Sequence, residues 1–287
     1  MSVEVLRYAA FTDEGRGGNP AGVVLGTSLT DAQMLAVAQA IGYSETAFLT
    51  RRDGRSVIRF FSPRAEVDFC GHATIATAVA VAQRDGAGTL SLATNAGPVA
   101  VRTSVDIEGT VTATLTSPAT STVAVPENTL RRALDHLRLA PLDLDPRFPT
   151  HVSYAGNHHL VLAVTAEHTL DTLDYDYAAL DQLMAEEGWT TVHVFCRRDA
   201  TTYAARNLFP PGGVVEDPAT GAAAAAFGGY LRDLRLITVP GRLTIVQGVA
   251  MGSPSRLVVD IDESPHVRVT GTATRLELSP YDDLELP

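Results

Sequence analysis

Cysteine is scarce in this 287-residue chain: Cys70 and Cys196 are the only two, and neither sits in a C-x-x-C pair. That excludes a disulfide scaffold and a cysteine-rich metal cluster. No apolar run reaches the roughly 18–20 residues that span a bilayer, so no transmembrane helix is expected. The first residues, MSVEVLRYAAF, lack a basic stretch followed by an apolar one, and they read as a first strand rather than a signal peptide. Basic residues are outnumbered, 22 Lys+Arg against 33 Asp+Glu, for a formal charge of −11. Such a surface repels phosphate backbones, and no basic cluster stands out, which argues against nucleic acid as a partner. No G-x-G-x-x-G follows the first strand, so Rossmann-type nucleotide binding has no support. A soluble, reduced, cytoplasmic protein is the default expectation.

What is present is globular: 45% hydrophobic and 19% charged residues, enough apolar material for two cores. Thr30-Asp31-Ala32-Gln33 is a capping box, Met34, Val37, Ala38 and Ile41 follow at helical spacing, and Gly42 closes the helix. Further helices are predicted from Gly71 to about Arg84, Asn128 to about Leu139, Tyr177 to about Glu187, and Ala219 through an alanine run to Leu234. Between them lie strand signals at Val3–Phe11, Glu45–Thr50, Ser56–Ser62, Val111–Leu115, Leu160–Val164, Val192–Cys196, Ala204–Phe209, Leu243–Gln247, Leu257–Ile261 and Val267–Val269. Strands outnumber helices about two to one, which indicates an α+β fold rather than a doubly wound sheet.

The order of elements repeats. The Thr30 helix leads to strand Glu45–Thr50, a strand ending Phe61-Ser62-Pro63, and a helix start at Gly71. The Tyr177 helix leads in the same way to Val192–Cys196, a strand ending Phe209-Pro210-Pro211, and a helix start at Gly221. A duplicated fold is expected, with one half over residues 1–117 and the other over 125–272. A linker lies near Ser117–Val125, and the tail 273–287 returns to the first half.

Two helix starts attract attention as chemistry. Unpaired backbone N–H groups and the positive dipole end suit a carboxylate or a developing enolate, and Gly71 and Gly221 allow close approach. Ordinary capping explains each equally well. His72 and Asp217 sit at these starts, where they can bind a polar substrate group or relay a proton, although Asp217 also reads as an N-cap and His72 as a partly exposed polar residue. Glu45 opens an apolar strand, where partial desolvation suits a carboxylate to accept and return a proton; a solvent-facing strand position is the alternative. Asn19, in the turn Gly18–Gly22, offers an amide, or merely serves the turn. His158 and His159 are adjacent on a strand and point to opposite faces, so they do not share an ion, and no metal site is expected.

Together, Gly18-Asn19-Pro20-Ala21-Gly22-Val23, Ser44-Glu45-Thr46-Ala47-Phe48, Gly71-His72-Ala73-Thr74, Glu216-Asp217-Pro218-Ala219-Thr220-Gly221 and Gln247-Gly248…Met251-Gly252-Ser253-Pro254-Ser255 resemble the phenazine-biosynthesis PhzF-like isomerase family, from about Tyr8 to about Thr272. The resemblance implies the diaminopimelate epimerase-like fold, two pseudo-symmetric domains each with a curled sheet around a central helix and the active site between them. It implies a homodimer and a cofactor-independent isomerisation of trans-2,3-dihydro-3-hydroxyanthranilate or a related small carboxylate. Glu45 is then the general acid/base and His72 and Asp217 its partners. Asn19, Gly71, Ala73, Thr220, Gly221 and Ala222 are the implied substrate-binding positions.

Two departures bear on this. Ala222 stands where the phenazine enzymes of the family have a serine, which puts the substrate in question. Cys70 occupies the place of one of two catalytic thiols in the related epimerases, but Cys196 is on a different strand from its counterpart, which rules out a two-thiol mechanism. A one-thiol epimerase using Cys70 and a non-catalytic carboxylate-binding protein are the alternatives.

Overall fold

Thr30 and Gly42 bracket the first helix as their chemistry requires. In the computed structural model, which describes residues 3–52 and 55–277, the Thr30 hydroxyl accepts from the Gln33 amide while the Gln33 side chain accepts from the Thr30 amide. Gly42 ends the helix at φ 70°, a left-handed conformation that glycine adopts without cost. This helix, α1 (Asp31–Ile41), buries Met34, Val37, Ala38 and Ile41 against Val24, Leu29, Phe48 and Phe61. Each such side chain contributes about 1.5–3 kcal/mol.

The chain divides into two units, one formed by Met1–Thr116 with Thr270–Pro287 and the other by Ser117–Val269. In the first unit, β1 (Leu6–Ala10), β2 (Asn19–Leu25), β3 (Glu45–Arg52), β4 (Arg55–Phe61), β6 (Thr89–Thr94), β7 (Gly97–Val105) and β8 (Val111–Thr116) follow one another across the sheet. A short β5 (Glu66–Val67) pairs with β4. The last strand among the described residues, β16 (Arg268–Arg275), follows β8 and pairs with β1 through Tyr8↔Arg275 and Ala10↔Ala273, which closes the sheet into a ring. Of the expected tail, residues 278–287 lie outside the described residues. Helix α2 (Gly71–Asp85) runs through the ring against β1, β2, β3, β7 and β8. Its alanine-rich sequence suits the space, and its buried Thr74 and Thr77 hydroxyls donate to the Cys70 and Ala73 carbonyls at 2.6 and 2.7 Å.

Two parallel strand pairs organise this unit, and parallel neighbours need a long crossover. Helix α1 crosses over outside the sheet from β2 to its parallel neighbour β3, and α2 crosses inside from β4 to β6. The Gly18–Gly22 stretch, expected as a turn, is mostly strand: Gly18 at φ +84° ends the turn and β2 starts at Asn19. Gly22 belongs there because a Cβ would lie 2.7 Å from Thr46 Oγ1 across the β2–β3 pair.

The second unit repeats the plan. Its sheet order is β15 (Ser255–Ile261), β14 (Gly241–Gln247), β13 (Thr202–Leu208), β12 (Thr191–Arg197), β11 (His158–Ala163), β10 (His151–Tyr154) and β9 (Ser121–Ala124). Part of the expected linker is therefore a strand, β9, and the residues ahead of it bond to the chain before β16 through Ser117 N–Val267 O and Thr120 N–Pro265 O. Helix α5 (Tyr177–Glu187) packs outside with α3 (Glu127–Leu137) and carries the parallel crossover from β11 to β12; a short α4 (Glu167–Asp171) precedes it. Helix α6 (Gly221–Asp233) lies inside and carries the crossover from β13 to β14. Side chains at Gly228 and Gly229 are excluded by contact, since a Cβ would reach Val267 at 2.9 Å and Thr120 at 2.4 Å. The architecture is α+β, with each unit a curled sheet around a central helix. No helix among the described residues is long and apolar enough to cross a membrane.

Candidate functional site

The expected site residues fall into two clusters, one at the start of each central helix. In the first unit, β2 sets the frame: Asn19 is buried at its first position, and Ala21 two residues on lies opposite Glu45, the first residue of β3. The Glu45 side chain is 17% exposed, and its Oε2 lies 3.5 Å from His72 Nε2. Ser44 Oγ is 3.4 Å from the same nitrogen, and the other ring nitrogen, Nδ1, is 3.3 Å from Cys70 Sγ. His72 is thus buried between a carboxylate and a thiol. Its ring can donate to one neighbour while accepting from the other, depending on which nitrogen bears the proton. The 3.5 Å contact is long for a hydrogen bond, as acid/base pairs often are before substrate draws them together.

Cys70 is the N-cap of α2 in extended backbone, with no side-chain bond to the helix start. Its carbonyl receives both the amide (3.1 Å) and the hydroxyl (2.6 Å) of Thr74, which fixes the turn carrying Gly71, His72 and Ala73. Ala73 has no exposed surface, so its methyl packs in the core and only its backbone belongs to the helix start.

In the second unit, Asp217 lies between β13 and α6. Its amide donates to the Asn207 carbonyl at 2.9 Å, and the preceding Glu216 forms a buried two-pronged pair with Arg206, both bonds 3.0 Å. Asp217 Oδ2 accepts from the Thr220 hydroxyl at 2.5 Å; Thr220 Oγ1 in turn accepts from Asn207 Nδ2 at 2.6 Å and Gln247 Nε2 at 3.1 Å. Thr220, expected to touch substrate, therefore spends its hydroxyl on holding Asp217. Gly221 is buried and Ala222 half-buried at the first two positions of α6. The chain of bonds continues inward, because Asn207 Oδ1 accepts from Thr191 Oγ1 (3.1 Å), which lies 2.6 Å from His159 Nδ1. Burial pushes the fully buried His159 down to about 3 and, with some offset from Asn207, His193 down to about 4, so both rings are neutral at physiological pH.

Ser44 and Gln247 lie in the motifs that carry the resemblance without a role of their own, and Asn207 lies outside them, one of several polar positions in β13. The usable signal was that Asn207 and Gln247 end strands that lead toward glycine-rich segments. His158 is exposed while His159 is buried, as strand alternation requires.

Comparison with known proteins places this geometry in a family. The model for "phenazine biosynthesis-like protein" matches residues 8–278. A Deinococcus radiodurans protein named "uncharacterized isomerase" is 34% identical over 275 residues, covering 90% of this chain and 87% of its own. The trans-2,3-dihydro-3-hydroxyanthranilate isomerase of Pseudomonas chlororaphis is 28% identical, covering 91% and 93%. The crystal structure of a Bacillus anthracis phenazine biosynthesis protein of the PhzF family superposes with a TM-score of 0.86 at 24% identity, covering 96% and 98% of the two chains. The chain belongs to the phenazine biosynthesis-like protein family, a family of PhzF-like isomerases.

Proposed function

We propose that this protein catalyses a cofactor-independent proton shift on a small unsaturated carboxylate, with Glu45 as the general acid/base. The observation that carries the reading is the 3.5 Å approach of Glu45 Oε2 to His72 Nε2 at the start of a central helix. In the forward step the Glu45 carboxylate takes a proton from a carbon made acidic by conjugation, leaving a delocalised carbanion. The Glu45 carboxylic acid, after exchange of its proton with solvent, then delivers a proton to another carbon of the same conjugated system, so neither charge nor composition changes overall. His72 orients Glu45, and the α2 start favours the negative charge that develops. Asp217, in the second unit, is held by Thr220 and Gln247 and offers a polar group for a substrate. The family supports trans-2,3-dihydro-3-hydroxyanthranilate or a related amino or hydroxy acid; Ala222 favours a relative over that compound itself.

The test is NMR in D₂O with trans-2,3-dihydro-3-hydroxyanthranilate and a panel of small amino and hydroxy acids. Conversion with deuterium incorporation is expected, and Glu45→Gln should abolish it while keeping its melting temperature. Wild-type rates in Glu45→Gln would end the assignment. The 3.3 Å contact of Cys70 Sγ with His72 Nδ1 favours one second reading, a one-thiol epimerase in which the imidazole draws the thiol proton. It requires Cys70→Ala to be inactive in the same assay, and normal turnover in that variant removes it.

A further inference from the structure

We propose that Cys70, His72 and Glu45 form a three-ligand site for a thiophilic divalent cation, zinc foremost, that silences the enzyme by occupying its acid/base. The ligand atoms of the three side chains all lie within 4.8 Å of one another. Two of the separations already approximate one coordination polyhedron. A tetrahedral zinc bound by sulfur, nitrogen and oxygen at ordinary bond lengths sets its sulfur and nitrogen about 3.6 Å apart and its nitrogen and oxygen about 3.4 Å apart. Cys70 Sγ to His72 Nε2 is 3.8 Å, and His72 Nε2 to Glu45 Oε2 is 3.5 Å; because Sγ lies nearer Nδ1, at 3.3 Å, the imidazole must turn to aim Nε2 between the sulfur and the carboxylate. The remaining edge, from Cys70 Sγ to the Glu45 carboxylate, is within 4.8 Å and is the one that the partly exposed Glu45 side chain must shorten to complete the polyhedron.

The donor set also selects the ion. One thiolate, one imidazole and one carboxylate suit zinc or its softer congeners, whereas magnesium and calcium demand oxygen donors. Binding releases the Cys70 thiol proton to solvent, and the thiolate and carboxylate together cancel the two charges of the cation. The Thr74 hydroxyl, through its 2.6 Å bond to the Cys70 carbonyl, holds the ligand-bearing turn in place beforehand. Three protein ligands leave a fourth position for water. The inhibitory half of this inference rests on the reading of Glu45 as acid/base; the metal site itself does not.

The experiment titrates Co²⁺ into the whole chain, freed of any added histidines, and follows the thiolate-to-cobalt charge-transfer band in the near ultraviolet. Zn²⁺ is then added in competition. The band is expected in wild type and in Cys196→Ser, absent in Cys70→Ser, and bleached by one equivalent of Zn²⁺. Glu45→Gln should bind Co²⁺ about ten-fold or more weakly. Any other pattern overturns the site: no band in wild type, a band that survives Cys70→Ser or is lost in Cys196→Ser, or an unchanged affinity in Glu45→Gln. The band requires no turnover, so its failure leaves the isomerase reading standing, and a failure of turnover leaves the band to be judged alone. With an active preparation, Zn²⁺ should suppress turnover over the same concentrations that bleach the band; full activity at saturating Zn²⁺ removes the inhibitory half.

Discussion

Replacing His193 by leucine should make the protein markedly less sensitive to acid. The ring is fully buried beside Phe195 and Phe227, and burial, only partly offset by Asn207, lowers its pKa from 6.5 to about 4. Because the folded pKa lies below the unfolded one, the unfolded chain binds the extra proton as pH falls through 6.5, and stability drains away from there down toward pH 4. At pH 5 the penalty is about 2 kcal/mol for His193, and about the same again for His159, whose pKa is near 3. At pH 7 both penalties nearly vanish. The leucine variant should therefore lose about 2 kcal/mol less than wild type between pH 7 and pH 5. Lost ring packing and the removal of the buried polar nitrogens shift stability at both pH values alike and cancel in that difference. The assay is urea unfolding followed by fluorescence of Trp189, the chain's one tryptophan, which is buried in the outer core of the same unit. A variant whose loss matches wild type within about 0.5 kcal/mol would refute the claim that His193 is held neutral by burial.

Glu216→Gln leaves the largely buried Arg206 guanidinium, still bonded to the Leu170 and Leu173 carbonyls, without its counter-charge and should cost about 2–3 kcal/mol by the same fluorescence measurement. Gly229→Ala drives a methyl against Thr120, whose hydroxyl already binds Arg232 and Pro265, so a loss of about 1–3 kcal/mol in thermal unfolding is expected; an unchanged melting temperature would show that α6 has slack. Asn207→Ala cuts the link from Thr191 to Thr220 and lets the Asp217 support rotate. Its kcat/KM should fall about ten-fold or more at temperatures where the variant is folded, and wild-type kcat/KM there would show that Asp217 needs no such support.

Helices were the readable part of the fold because their punctuation is local. Thr30, Gln33 and Gly42 place α1, and the predicted Tyr177–Glu187 helix coincides with α5, whose Asp176 side chain caps Ala179. Strands whose pattern depends on distant neighbours were harder to see. Asn19–Leu25 is rich in residues that mark turns, and only its fit against Thr46 makes it a strand. The β6–β7 hairpin alternates between half-buried and exposed positions with few apolar anchors, so its periodicity is weak. In the first cluster, Glu45 and His72 stood out through their motifs, while the thiol beside His72 needed coordinates to show a contact of 3.3 Å. The network from Asp217 to His159 was hidden because its directly bonded members are up to 32 residues apart in sequence and are brought together by strand register.

The ring of the first unit has a consequence for how the protein is made. Its seam joins β1 to β16, and the threonines that line it, Thr12 with Thr272 and Thr274, are 260 and 262 residues apart in sequence. The second unit, Ser117–Val269, is contiguous and can be completed while the chain is still emerging from the ribosome. The first unit cannot, since its closing strand follows the whole of the second unit along the chain. Until then β1 presents an unpaired edge, and the hydrophobic interior around α2 remains open to misplaced strands. Synthesis therefore runs opposite to assembly: the half begun first is the half finished last, and the Glu45–His72–Cys70 cluster sits in that late-sealing half.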